Sequence, residues 1–334
     1  AILVSAGGLP VAPARRLPAA ALRTTPLESR ARLIDLALED AAFQVRIEAL
    51  RAFGQHRRTT VGCEPLFRLL ADPSPHVVLL AIDLIGAGCL PAERPASVLD
   101  LLVWEPLTAT AWHRPAHALV ALAGTDSARA RVELPRFVSA EVWWARVYAA
   151  RAAARLGDST TLRRLLADPH PNVREEALRA LFAIEGHAAD SAAIAQLDST
   201  DDQRLLTAAS LLKDAPAGAA AVPALLDALD RVSAERKETS RDTRLALLAR
   251  VADFGTAADS ARLLPRVTDY DPRVADEAAA LLTRWTGHEV VPAPRPLDPL
   301  PLPTPAELGG MTSAVIVMAD GGRLTVRLRP GLAP

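Results

Sequence analysis

Apolar residues recur at helical spacing over most of the chain. In one segment they fall at positions i, i+4, i+5, i+8 and i+9, namely Val173, Ala177, Leu178, Leu181 and Phe182. A second segment carries a similar apolar stripe, made by Val274, Ala278, Leu281, Leu282 and Trp285. This spacing brings the apolar side chains onto one side of a helix. Each segment therefore predicts an amphipathic helix with one buried face.

Short turns containing Asp and Pro precede these helices. They occupy residues 72–75 (Asp-Pro-Ser-Pro), 168–171 (Asp-Pro-His-Pro) and 269–272 (Asp-Tyr-Asp-Pro). An Asp side chain accepts hydrogen bonds from the free amides at a helix start, and Pro in the first turn lacks only an amide hydrogen that the helix does not use. A Leu-rich segment lies before each turn. The pattern therefore predicts a helix, a tight turn and a second helix.

Such helical pairs can be placed along most of the chain at a period of roughly 30 to 40 residues, as expected for two-helix repeats. The predicted pairs span residues 28–56, 61–89, 94–124, 126–157, 158–187, 188–214, 219–255 and 257–287.

Residues 168–181 resemble the second-helix signature of the HEAT repeat family, Asp-Pro-x-x-x-Val-Arg-x-x-Ala-x-x-x-Leu. The resemblance extends over most of residues 28–287, with the strongest matches at the Asp/Pro turns. It implies an all-α, HEAT-like α-solenoid of about eight helical hairpins, with a long concave surface suited to extended protein partners.

Composition divides the chain into four predicted regions. Residues 1–27 form an N-terminal extended or capping segment, and residues 28–288 form the solenoid. Residues 289–311 contain closely spaced prolines, which prevent a helix and favour a semi-rigid polyproline II linker. Residues 312–334 alternate apolar and polar positions around Asp320-Gly321-Gly322, which predicts a short β-hairpin.

The hairpin, followed by Arg329-Pro-Gly-Leu-Ala-Pro, resembles the start of a cyclophilin-type peptidyl-prolyl isomerase domain. In that family the catalytic residues follow this segment, so no catalytic residue can be assigned to this chain. The resemblance implies that the chain is the repeat half of such an isomerase and that a catalytic domain follows Pro334. A coincidental hairpin that docks on a neighbouring protein is the alternative.

Charge and composition narrow the functional classes. Lys and Arg total 38 against 39 Asp and Glu, so the chain lacks the net positive charge that favours nucleic acid, and no nucleic-acid partner is expected. The longest apolar stretches are too short or too interrupted to span a bilayer.

His113 and His117 stand four residues apart, but Pro115 lies between them and no acidic partner is nearby. A structural or surface role is favoured, and neither a metal nor a cofactor is predicted.

The two cysteines, Cys63 and Cys89, flank one predicted helical pair. An antiparallel hairpin brings both to the same end, where they could form a disulfide, but two buried free thiols are equally compatible with the sequence.

The chain starts at Ala1 without a basic segment, from which we expect that any export signal has been removed. The prediction is a periplasmic or otherwise extracytoplasmic protein, with a cytoplasmic location as the alternative.

Aromatic residues, only 4% of the chain, are concentrated around Trp143, Trp144 and Tyr148, with Arg146 among them. Adjacent residues on a helix cannot both face one core, so at least one Trp should be partly exposed. Exposed Trp beside Arg is typical of a protein-binding hot spot, whereas packing between repeats could also absorb both rings. These four residues are the candidate partner-binding site.

Together these features predict a protein-binding scaffold, the non-catalytic portion of a cyclophilin-type isomerase. One alternative is a structural extrinsic subunit of a larger assembly, including one at a membrane. A second is a HEAT-like bilin lyase, an enzyme class built on similar repeats. The sequence contains no complete catalytic site, so enzymatic activity stays open.

Overall fold

In a computed structural model of the chain, the structure describes residues 27–89, 95–298, 312–318 and 321–329. Three parts of the sequence predictions lie outside the described residues. They are most of the N-terminal segment, residues 299–311 of the linker, and, in the C-terminal segment, residues 319–320 and 330–334.

The described chain is mostly helical. In chain order the α-helices are α1 (Leu27–Leu38), α2 (Phe43–His56), α3 (Arg58–Val61), α4 (Glu64–Leu69), α5 (Pro75–Gly86), α6 (Pro95–Val103), α7 (His113–Thr125), α8 (Ser127–Val138), α9 (Trp143–Arg155), α10 (Ser159–Leu165), α11 (Pro171–Glu185), α12 (Asp190–Gln196), α13 (Asp202–Leu211), α14 (Val222–Ala234), α15 (Arg241–Phe254), α16 (Ser260–Leu263) and α17 (Pro272–Thr286). Short 3-10 helices occupy Gly186–Ala189, Gly218–Ala221, Glu238–Ser240, Ala257–Asp259 and Leu264–Thr268.

The helices form antiparallel pairs that stack as a HEAT-like α-solenoid, as the sequence predicts. Within the described ranges there are eight pairs, whose second helices are α2, α5, α7, α9, α11, α13, α15 and α17. Each second helix packs against the second helix of the next pair, so these helices form one continuous layer. The first helices cover one side of that layer. The other side is called the open face below.

The apolar stripes read from the sequence form the core between the two layers. Val173, Ala177 and Leu181 of α11 are fully buried, as are Val274 and Ala278 of α17. Buried apolar residues connect through every described repeat, from Ile34 to Leu282, in one continuous cluster. The solenoid therefore has a single elongated core, as expected when each repeat buries its apolar surface against its neighbours.

The Asp/Pro turns act as predicted. Asp271 immediately precedes α17, and its carboxylate accepts hydrogen bonds from the backbone amides of Arg273 and Val274. At the 168–171 turn, Asp168 accepts from the amide of His170, and α11 then starts at Pro171. Side-chain capping thus fixes the start of α17, whereas the hydrogen bond to Asp168 stabilises the turn that leads into α11.

The first part of the proline-rich segment lies against the last repeat. The amide of Ala293 donates to the carbonyl of Val267 at 2.8 Å, and that of Arg295 donates to the carbonyl of Asp269 at 3.2 Å. Val290 packs on the core. Residues 289–298 therefore form an extended strap along the turn before α17.

A two-stranded antiparallel hairpin completes the described chain. β1 (Ser313–Val317) pairs with β2 (Arg323–Arg327), with Val315 opposite Thr325. Both strands are solvent-exposed along their full length. Across the residues that the structure describes, no helix combines the length and the apolar character needed to cross a membrane.

Candidate partner-binding groove

A groove opens on the open face between α9 and α11. On α9, Trp144, Tyr148 and Arg151 follow one another at i, i+4 and i+7 and line one wall. On α11, Asn172, Glu175, Glu176 and Arg179 occupy i, i+3, i+4 and i+7 and line the other wall. Helical periodicity therefore points both sets of side chains into the same space. The cavity between them has a volume of about 360 Å³.

Aromatic rings from three successive repeats meet at one end of this groove. The rings of Trp112 and Trp144 are nearly parallel, with their centroids 5.7 Å apart, and the Trp143 and Trp144 centroids are 4.9 Å apart. Trp143 in turn stacks on His170 at 3.9 Å. Trp144 is 36% exposed, in agreement with the expectation that one of the two adjacent rings reaches solvent. We call Trp112, Trp143, Trp144 and His170 the aromatic ladder.

The charged residues of the groove are paired with one another. Arg151 donates from Nε to Oε1 of Glu176 at 2.8 Å, and Arg179 donates from Nη2 to Oε1 of Glu175 at 2.9 Å. The Arg151 guanidinium also lies 4.7 Å from the centroid of the Tyr148 ring, an attractive cation–π geometry. The groove walls thus carry charge without a net excess of either sign.

Below the groove, a chain of hydrogen bonds joins three neighbouring second helices. Asp83 of α5 lies 2.7 Å from Nδ1 of His117 on α7, and Nε2 of His117 lies 2.7 Å from the Tyr148 hydroxyl on α9. Burial raises the pKa of Tyr148 above its ordinary value, which favours the neutral phenol as the hydrogen-bond donor. His117 therefore orients Tyr148, and through it the wall of the groove.

The two histidines that the sequence places four residues apart have different environments. His117 lies in the hydrogen-bond chain just described, whereas His113 stacks on Trp112 with ring centroids 4.0 Å apart. Burial, and next the charge of His117, lower the pKa of His113. Within the described residues, no three His, Cys, Asp or Glu side chains are grouped so that they could hold a metal ion.

Arg146 is separated from the other three candidate residues. Its guanidinium donates to Asp168 at 2.6 and 2.9 Å and to the carbonyl of Ala140 at 2.8 Å. The Arg146 side chain is only 12% exposed. It lies at the turn between repeats and does not line the groove. The structure therefore groups Trp143, Trp144 and Tyr148 and gives Arg146 a structural position.

Cys63 and Cys89 are joined by a disulfide that closes the α4–α5 pair, with Cα atoms 5.5 Å apart. Cys63 is fully buried at the start of α4, and Cys89 lies just past the end of α5. The bond ties the two open ends of one repeat together and lies two repeats away from α9.

Sequence reasoning missed Trp112, Arg151 and the acidic residues of α11 as parts of the groove. Arg151 could have been found, because Trp144, Tyr148 and Arg151 share one helical stripe. Trp112 lies 32 positions before Trp144, and only the stacking of α7 on α9 brings the two rings together.

Comparison with known proteins supports the fold. No family model matches the chain, and no curated protein matches it. Among solved structures, the chain is similar to the crystal structure of YibA from Escherichia coli, with a TM-score of 0.52 and 14% identity over 80% of this chain and 96% of YibA. An engineered protein also aligns, with a TM-score of 0.35 and 17% identity over 86% of this chain and 98% of its own. The similarity to YibA agrees with an all-α HEAT-like solenoid and shows the fold alone.

Proposed function

We propose that this protein is a protein-binding scaffold and that the groove between α9 and α11 is its principal binding surface. The observation that carries the proposal is the aromatic ladder at the mouth of the groove. Three of the chain's five tryptophans, Trp112, Trp143 and Trp144, meet there in a chain with 4% aromatic residues. Tryptophan is strongly enriched among residues that dominate binding energy.

The surroundings of the ladder support a binding surface. The groove is bounded by helices whose other faces are buried, so its walls are held in place before a partner arrives. Tyr148 is fixed from below by His117, and Arg151 is fixed by Glu176. Preorganised side chains lose little conformational freedom on binding, which increases the affinity that a given contact area provides.

The proposal is tested by selecting binders from a library of random displayed peptides and measuring their affinity for the wild-type protein and for Trp144→Ala. We expect the selected peptides to lose at least about tenfold in affinity with Trp144→Ala, as for a hot-spot residue. Trp104→Ala is the matched control. Trp104 is 58% exposed but lies just past α6, beside Arg129 and Arg136 of α8, away from the groove. Selected peptides whose affinity is unchanged by Trp144→Ala would contradict the proposal.

The finer functional predictions from the sequence extend this proposal. In one, the scaffold is the non-catalytic portion of a cyclophilin-type isomerase and positions a client for a catalytic domain. In the other, it is a structural subunit of a larger assembly, with the hairpin docked on a neighbouring protein. The exposed apolar side chains of the hairpin, Ile316, Leu324 and Val326, are consistent with either contact. A bilin lyase activity has no supporting observation among the described residues.

A further inference from the structure

We propose that the groove binds a proline-containing segment of a partner protein in the polyproline II conformation. This inference rests on the proposed function and names the chemistry of the partner. It follows from three properties of the groove: its unused hydrogen-bond donors, its balanced charges and the helical construction of its walls.

The groove offers donors that have no acceptor among the residues that the structure describes. The indole N–H groups of Trp112, Trp143 and Trp144 make no hydrogen bond to any part of the chain that the structure describes. The amide side chain of Asn172, on the opposite wall, is exposed at the groove edge. An occupant that matches this surface must present several hydrogen-bond acceptors next to apolar surface.

The charges of the groove disfavour a strongly acidic or basic occupant. Arg151 is paired with Glu176 and Arg179 with Glu175, and Glu175 also accepts a hydrogen bond from Thr207 at 2.9 Å. A charged ligand would have to compete with these existing pairs and would gain little net electrostatic energy. Charge complementarity therefore favours an uncharged segment.

The backbone conformation of the occupant follows from its hydrogen-bonding needs. A helical ligand satisfies its own carbonyls and has few left for the indole groups. An added β-strand needs the open edge of a sheet, whereas both walls of the groove are α-helices. A polyproline II segment has no internal hydrogen bonds, so its carbonyls are free, and its pyrrolidine rings pack well on aromatic side chains.

The test uses an acetylated, amidated nonaproline peptide as probe, with a Gly-Ser peptide of the same length as the negative control and cellohexaose as a probe for carbohydrate. Binding to the full chain is measured by isothermal titration calorimetry and by Trp fluorescence. We expect saturable binding of nonaproline and of neither control. Trp144→Ala should weaken it at least about tenfold, whereas Trp104→Ala should change it less than about twofold.

Trp144→Phe separates the two contributions, because it keeps an aromatic ring but removes the indole N–H. We expect an affinity between those of the wild type and Trp144→Ala. Thermal unfolding followed by circular dichroism checks that both variants are folded, and the milder Phe variant keeps the test decisive if the Ala variant unfolds.

The outcomes also separate this inference from the proposed function. If displayed peptides depend on Trp144 but carry no proline, and nonaproline does not bind, the polyproline inference is wrong and the scaffold proposal stands. Binding of cellohexaose in place of nonaproline would overturn the inference in favour of a carbohydrate ligand. If neither displayed peptides nor nonaproline depend on Trp144, both proposals fail.

Discussion

Arg146 of α9 donates two hydrogen bonds to the carboxylate of Asp168, which lies in the turn of the following repeat. Equivalent pairs join Arg46 to Asp72 and Arg244 to Asp269. In each case an Arg from a second helix reaches the Asp of the next turn, 22 to 26 residues further along the chain. The Asp that caps a turn is thus also the point at which neighbouring repeats are joined.

Burial alone would raise the pKa of Asp168, but hydrogen bonds from Arg146 and from the His170 amide outweigh it and hold the pKa below its ordinary value. Because Asp168 is almost fully buried, removing Arg146 would leave a charged carboxylate without its main partner. We expect Arg146→Ala to lower the free energy of unfolding by about 3 kcal/mol, as for other buried ion pairs that lose one member. Urea denaturation followed by circular dichroism measures the change.

Arg163→Ala is the control for this prediction. Arg163 forms an ion pair with Glu185 at 2.5 Å, but its side chain is 47% exposed. Exposed ion pairs contribute less than about 1 kcal/mol. Equal destabilisation by the two variants would show that the Arg146–Asp168 pair has no special role in joining the repeats.

The role of Arg146 illustrates what the sequence could and could not predict. The Asp/Pro turns and the apolar stripes are local patterns, and they placed the helical pairs correctly because capping and helical periodicity act over a few residues. The ion pair of Arg146 is formed with a residue of the next repeat. Its local sequence, beside two tryptophans, indicated a binding hot spot instead.

The groove also combines features that local sequence predicts with features that depend on packing between repeats. Trp144 and Tyr148 could be singled out because they lie on one helix and aromatics are scarce. The contribution of Trp112 depends on how closely α7 approaches α9, and that distance is determined by the packing of side chains across repeats. Pairing of the groove's charges likewise depends on the register between α9 and α11. Neither the distance between α7 and α9 nor the register between α9 and α11 can be read from one segment of sequence.

The disulfide gives a prediction about stability under reducing conditions. A cross-link between Cys63 and Cys89, 26 residues apart, restricts the unfolded chain and should contribute about 3 kcal/mol in the chain-entropy treatment. We expect the double variant Cys63→Ser, Cys89→Ser to unfold at lower urea concentration than the wild type.

Dithiothreitol provides the internal control for this prediction. It should shift the unfolding midpoint of the wild type towards that of the double variant and leave the double variant unchanged. If the reductant has no effect on the wild type, and peptide mapping without reduction finds two free thiols, the disulfide is not present in the protein as isolated.

Gly86 of α5 lies directly against Ala121 of α7. A Cβ atom at this position would lie 2.4 Å from Cα of Ala121, and the backbone of α7 cannot move aside without separating the two helices. We expect Gly86→Ala to destabilise the protein by up to about 3 kcal/mol through overpacking. The decrease is measured as a lower melting temperature in thermal denaturation.

Gly54→Ala is the matched comparison. A Cβ atom there would meet only the side chain of Leu84, whose Cδ2 would also lie 2.4 Å away. Leu84 is partly exposed and can rotate away. The gain in helix propensity, about 1 kcal/mol, should offset most of the cost. A loss of stability in Gly54→Ala as large as that in Gly86→Ala would argue against a backbone clash as the cause.

His170, a member of the aromatic ladder, makes the stability of the protein depend on pH. Burial, followed by the positive charge of Arg146, lowers the pKa of His170 below its ordinary value, whereas Asp168 acts in the opposite direction and Arg174 in the same one. The unfolded chain therefore takes up a proton at this residue before the folded chain does. Stability is unaffected above pH about 6.5 and should fall as the pH drops below it, until the folded form is also protonated.

The variant His170→Asn isolates this contribution. His170 precedes α11 and accepts a hydrogen bond from the amide of Asn172 through Nδ1, and Asn is an effective residue at such a position. The variant should keep the helix start and lose the titrating group. We expect the drop in unfolding midpoint between pH 7.5 and pH 5.5 to be smaller in His170→Asn than in the wild type, because the variant lacks the imidazole at this position. If the two proteins show the same drop, the stacked position of His170 on Trp143 does not disfavour its protonated form.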